Sequence, residues 1–219
     1  MLAELSRHYW LITSIGFIAQ ALFAARMIVQ WVSSERAHKL VSPTLFWVFS
    51  LVGSAVMFFY GVLRFDFSII LGQVLMYYIY IWNLKVKGLL GKNSRKRGAV
   101  RITLMAIPPL AIGMMVASGV DFATLMFNSD DIPLWLLLLG SVGQFLFAFR
   151  FYLQWFFSRK AGESVMPIPF WTMSLIAAGM VLVYGIIRMD LVLIVSQLGG
   201  ALIYSRNIWI GKHSDEEMI

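Results

Sequence analysis

No cysteine occurs in this chain, which excludes disulfides, cysteine-ligated zinc and iron–sulfur clusters. Charge is sparse as well. Asp, Glu, Lys and Arg make up 13% of the 219 residues, against about 25% in an ordinary soluble domain. The three histidines, His8, His38 and His213, lie outside or at the ends of the apolar stretches, and no His, Glu or Asp set repeats with metal-ligand spacing. Neither a Ser–His–Asp constellation nor a glycine-rich phosphate loop is present. These absences argue against an enzyme, and no metal or cofactor is expected. A removable leader is not expected either. The first apolar stretch runs on to Trp31, too long for a signal core, and no small-residue cleavage site follows it.

What is there is apolar. Hydrophobic residues make up 60% of the chain, and the mean hydropathy is +0.78. Seven stretches read as transmembrane helices, at 9–32, 43–63, 67–84, 101–118, 134–157, 168–187 and 190–210. The link 86–100 is strongly basic, whereas the link 119–133 has no Lys or Arg and carries Asp121, Asp130 and Asp131. Thirteen basic residues fall on one side of these spans, and only Arg7, Arg64 and Arg188 on the other. The basic side is expected in the cytoplasm, which puts the N-terminus outside and the C-terminus inside. The net charge of +7 then reflects this bias and the anionic headgroups beside it. It calls for no nucleic acid.

The chain repeats itself. Shifted by 124 residues, Gly16 to Asn83 align without a gap on Gly140 to Asn207, with 25 of 68 positions identical. Shared hydrophobicity would match Leu with Ile. Here the matches are polar and aromatic. Gln20, Arg26, Gln30 and Trp31 meet Gln144, Arg150, Gln154 and Trp155. Pro43, Phe46, Trp47 and Ser50 meet Pro167, Phe170, Trp171 and Ser174, and Tyr60, Gly61, Arg64 and Asp66 meet Tyr184, Gly185, Arg188 and Asp190. Gln73, Tyr80 and Asn83 meet Gln197, Tyr204 and Asn207. Each copy holds three spans, and the fourth span, with Pro108 and Pro109, has no copy. Four crossings separate the two starts, so both copies enter the membrane in the same direction. The expected fold is therefore all-α and integral to the membrane, a parallel 3+1+3 arrangement. Its parts are a first three-helix repeat at 9–85, a linker with helix four at 86–133, a second repeat at 134–210 and a tail at 211–219. Transporters with parallel repeats place their substrate near the midplane, between the copies.

The polar residues fall in stripes at helical spacing. Polar side chains in lipid are costly, so these faces are expected to look inward. Several carry two readings. Gln20, Gln144, Ser50 and Ser174 bond neighbouring helices or line a path, and so do Gln73 and Gln197 at mid-span. Pro43 and Pro167 start helices, and Trp31, Trp47, Trp155 and Trp171 anchor at the interface. Arg26 lies five residues before Trp31, roughly 7–8 Å below the inner interface. It either snorkels to the headgroups or binds phosphate, whose oxygens a guanidinium grips bidentately as lysine cannot. Arg64 and Arg188 either pair with Asp66 and Asp190 in the tight turns or hold phosphate at the outer rim. That pairing also argues against the two aspartates as raised-pKa acids.

The pattern R-x(3)-Q-W, P-x(2)-F-W-x(2)-S, Y-G-x(2)-R-x-D and Q-x(6)-Y-x(2)-N, present twice over about 136 of the 219 residues, resembles the lipid-A-disaccharide synthase N-terminal domain family. The glycosyltransferase domain of the enzyme that names the family is absent from this chain. The family in turn resembles the PQ-loop and SWEET transporters in its 3+1+3 design. In SWEETs a polar residue midway along spans three and seven meets the sugar. Gln73 and Gln197 are the nearest positions, as Gln rather than Asn, and the full PQ dipeptide is missing from spans one and five. The resemblance implies a bacterial inner-membrane protein that moves a polyprenyl-phosphate-linked sugar or related lipid between leaflets. Arg26, Gln30, Tyr60, Arg64, Gln73, Tyr80 and Asn83, with Arg150, Gln154, Tyr184, Arg188, Gln197, Tyr204 and Asn207, are then the expected cargo-binding residues. Two alternatives stand beside it: a SWEET-like transporter of a small soluble solute, and a non-transporting scaffold for a membrane glycosyltransferase. The expected partners are membrane lipids, a polyprenyl-phosphate sugar among them, and membrane glycosyltransferases. The oligomeric state is left open.

Overall fold

A computed structural model of the chain describes residues 2–64, 67–90, 95–117, 133–187, 189 and 191–216. All regular structure among them is helical. Among these described residues seven helices follow one another: α1 (Leu2–Ala37), α2 (Thr44–Arg64), α3 (Phe67–Val86), α4 (Arg95–Ala117), α5 (Leu134–Ala161), α6 (Ile168–Ile187) and α7 (Leu191–Glu216). Each coincides with one expected span, but several run further. α1, α5 and α7 continue past the apolar stretch into charged residues, and α4 begins at Arg95 rather than 101. A helix bonds its own backbone whatever surrounds it, so apolarity marks where it is buried and not where it stops. Among the described residues three stretches, Ser14–Ala37, Thr44–Leu63 and Ile168–Ile187, are long and apolar enough to cross a membrane by length and composition.

The chain divides into two compact units. The first comprises Met1–Arg26 and Thr44–Asn128, and the second Met27–Pro43 and Ser129–Ile219. In the first, α1 packs on α2 through small residues. A Cβ on Gly16 would lie 3.0 Å from Tyr60 Cε2, and one on Gly53 would lie 2.9 Å from Phe23 Cε1. In the second, α5 packs on α6 the same way. A Cβ on Gly140 would lie 2.9 Å from Tyr184 Cδ2, and one on Gly143 would lie 2.8 Å from Val181 Cγ2. Without a hydrophobic force between helices in lipid, such close backbone approach is what van der Waals packing requires. Phe58 and Ile70 form a core in the first unit with Val62, Val74 and Ile112 around them.

The repeat extends to the turns. α5 ends on Gly162 in the left-handed region at φ 75°, and the matching residue after α1, His38, adopts the same region at φ 51°. Glycine carries no Cβ and meets no clash there. Histidine does, at about 1 kcal/mol or more. His38→Gly is expected to raise the melting temperature in detergent, by a net of about 0.5 kcal/mol after the extra freedom glycine gives the unfolded chain. A thermal melt showing a loss would mean that the His38 ring makes contacts worth more than the strain.

Candidate functional site

The first unit encloses Arg26. Its residue is 8% exposed, so the side chain is packed inside and does not extend to the surface. Nη1 donates to Ser50 Oγ on α2 at 3.1 Å and to Tyr80 Oη on α3 at 3.2 Å. The guanidinium carbon lies 4.5 Å from the centre of the Phe23 ring, 5.5 Å from that of Phe46 and 6.0 Å from that of Tyr80. Ser50 Oγ donates its own proton to the Phe46 carbonyl at 2.6 Å. Its hydroxyl is therefore fixed as an acceptor toward the arginine. Trp47, fully buried like Trp171 and so not the interface anchor expected of either, backs Tyr80 with ring centres 6.1 Å apart.

The second unit builds a like cage from the matching residues and one further ring, Phe151, where the first repeat has Met27. Arg150 is 5% exposed, and its Nη1 donates to Ser174 Oγ at 2.8 Å while Ser174 donates to the Phe170 carbonyl at 2.6 Å. Phe147, Phe151, Phe170 and Tyr204 surround the guanidinium at 4.7, 5.1, 5.1 and 5.5 Å. Trp171 stands behind Tyr204 at 6.2 Å. A buried charge needs compensation, and aromatic faces supply about 0.5–2 kcal/mol through their quadrupoles. Each cage thus holds a cation on hydroxyls and π-faces.

One turn beyond Arg26 on α1, Gln30 belongs to the second unit and is fully buried. Its Nε2 donates to Ser34 Oγ at 2.9 Å and to Asn207 Oδ1 on α7 at 2.8 Å. Ser34 Oγ also accepts the backbone N–H of Val41 at 3.1 Å. Gln154 does the matching work one repeat later, donating to Ser158 Oγ at 2.7 Å and the Val165 carbonyl at 3.0 Å. The N–H of Val165 closes back on Ser158 at 3.0 Å. These glutamines clamp the α1–α2 and α5–α6 connections onto their helices. Ser42 and Ser164, one from each connection, share a hydroxyl hydrogen bond of 2.8 Å.

The other expected residues are spread more widely. Tyr60 and Tyr184 cover glycines, as described. Asn83 and Asn207 are fully buried, and each amide bonds the carbonyl four residues back, at 3.0 and 2.9 Å. Gln73 and Gln197 are half-buried, and Gln197 Nε2 donates to the adjacent Ser196 at 3.4 Å. Arg64 is the last residue of α2. Arg188, Asp66 and Asp190 lie outside the described residues, and so does the expected pairing in the tight turns. The sequence reading did not single out Ser34 and Ser158. Their one signal was identity across the repeat, four residues after each glutamine.

The family model of the Lipid A Biosynthesis N-terminal domain matches this chain twice, at residues 15–85 and 139–209. Among curated proteins, the lipid-A-disaccharide synthase of Chlamydia pneumoniae is 27% identical over 192 residues, covering 80% of this chain and 29% of that protein. That of Chlamydia trachomatis serovar D is 27% identical over 188 residues, covering 81% and 30%. That of Chlamydia felis is 28% identical over 203 residues, covering 90% and 32%. The chain thus spans about three-tenths of the length of the relatives it matches. No solved structure matches it.

Proposed function

We propose a function that proceeds from one premise: this chain belongs to the Lipid A Biosynthesis N-terminal domain family. The function is that of a membrane carrier for a polyprenyl-phosphate-linked sugar, or a related lipid intermediate, in the making of envelope glycolipids of the lipid A type. In this reading all seven helices cross the bacterial inner membrane in the parallel 3+1+3 order, with the N-terminus outside. The observation that carries it is the duplicated cage. Two arginines, buried among rings and hydroxyls at matching positions, are an uncommon investment inside apolar helices. Guanidinium suits a phosphate diester better than any neutral sugar. Arg26 and Arg150 would take the phosphate, Tyr80 and Tyr204 would steady them, and Gln73 and Gln197 would meet the sugar. Arg64 and Arg188 would receive the phosphate on the outer side. No group in this scheme bonds covalently to the cargo.

A second reading has its own support. The curated relatives carry the matched stretch as about three-tenths of a protein named as a synthase. That favours a chain that holds a lipid-acting glycosyltransferase at the membrane. Native mass spectrometry of the protein, released gently from its own membrane, separates the two. A bound polyprenyl phosphate or its glycosylated form is expected. An empty protein that co-elutes with a glycosyltransferase, or that free sugars stabilise and such lipids do not, would overturn the carrier.

A further inference from the structure

Ser34 and Gln30 near the end of α1 have identical counterparts 124 positions on, in Ser158 and Gln154, whereas the ion pair of Glu35 has none. Arg206 on α7 grips Glu35 on α1 bidentately. Nε donates to Oε2 at 3.0 Å, and Nη2 donates to Oε1. Both residues belong to the second unit, and both side chains are 41% exposed. The Arg206 guanidinium lies 4.2 Å over the Trp209 ring, and Trp209 stacks on His213 at 4.2 Å and 28°. This column fixes the fork before the carboxylate meets it, which lowers the entropy lost on pairing. In the repeat register Glu35 corresponds to Arg159 and Arg206 to Trp82. A cation and an indole cannot form an ion pair, so the other copy has no equivalent.

Among the described residues, an amide contact and an ion pair attach the tail of α1 to α7. The first is the buried amide contact between Gln30 and Asn207 at 2.8 Å, whose residue types recur in the other copy. The second is the ion pair at the rim, which does not recur. We propose that Glu35 and Arg206 form a one-sided clasp that holds the tail of α1 against α7 and sets the resting state of the carrier. It rests on the carrier reading for its purpose. Copies that were alike in every attachment would open alike. An extra attachment within the second unit makes opening there the costlier step, and charge is the part of it that can be released and remade.

The chain has no cysteine, so Ala37→Cys and Lys212→Cys, both at exposed positions of α1 and α7, accept spin labels with no competing site. Pulsed electron resonance then reads the distance between the two helix ends. With the clasp intact, one short distance is expected. Adding Glu35→Gln or Arg206→Gln is expected to shift the distribution to longer distances. The charge-swapped pair, Glu35→Arg with Arg206→Glu, is expected to restore it. Raising salt from about 0.1 M to about 1 M, which shortens the screening length from about 10 Å to about 3 Å, is expected to shift the intact protein the same way. That measurement stands even where a neutralised variant fails to fold. Unchanged distances under neutralisation and salt would overturn the clasp. The readout uses no cargo, so failure of the carrier reading would appear in the mass spectrum and leave this distance response as it is.

Discussion

Replacing Arg26 and Arg150 together with alanine is expected to abolish binding of a polyprenyl phosphate by the otherwise folded protein. A hydrogen bond to a charged group contributes about 1.5–3 kcal/mol. Losing one such contact at each cage weakens binding by about a hundredfold or more. Folding also bears a cost, which the melt reads separately. Ser50 and Ser174 keep their bonds to the Phe46 and Phe170 carbonyls, so no hydroxyl proton is stranded. What is lost is the cation among the rings, about 0.5–2 kcal/mol per cage, with the guanidinium's bonds to Ser50, Tyr80 and Ser174 and the packing of a buried side chain. Lysine at both positions keeps the charge but not the planar fork, and binding should return only in part. The titration is read by native mass spectrometry with defined lipid, beside a thermal melt. A folded double variant that binds lipid as the parent does would remove the phosphate assignment and leave the cages as structural. Full recovery with lysine would point to charge alone.

Gln30→Leu is expected to cost the most stability of any single change at the amide network, about 1–3 kcal/mol. Leucine fills much of the same volume but donates nothing. Asn207 Oδ1 would be left buried without the donor it now has at 2.8 Å, and the clamp on Val41 through Ser34 would slacken. Gln73→Leu is the control. That side chain is half-buried, and a change at such a place is usually within about 0.5 kcal/mol. Melting temperatures in one detergent compare the two. The reverse order would deny Gln30 its structural role. A Gln30→Leu protein that melts normally but loses lipid would instead make Gln30 a cargo residue, as its recurrence in the sequence suggests.

Much of this architecture can be read before any coordinates. Arginine, glutamine, tyrosine and asparagine stand out against an apolar background, so their recurrence at 124 residues marks the repeat and its helices. The arginine was legible as a problem, because a charge in an apolar helix must find compensation. Its solution was not. Phe23, Phe46 and Tyr80 lie on three different helices, and whether their rings converge depends on how each helix is rotated about its axis. Spacing along one helix says nothing of that. The bond from Gln30 to Asn207 spans 177 positions and joins a residue of the first repeat to one of the second. Periodicity within a repeat cannot anticipate it. His38 was hidden for a local reason. Its left-handed backbone is ordinary for the glycine that replaces it in the second copy, and nothing in a histidine announces it.

The second compact unit includes residues 27–43 of the first repeat. In the language of descent, one repeat is not a self-sufficient heirloom. A forebear with a single copy, built on the same plan, would have had to lend the end of its first helix to a sister chain and borrow one in return. Duplication and fusion would then have turned a loan between molecules into property within one. On that course the two halves would be free to diverge, and positions such as Glu35 and Arg206 could acquire partners that no identical pair of subunits could keep on one side only.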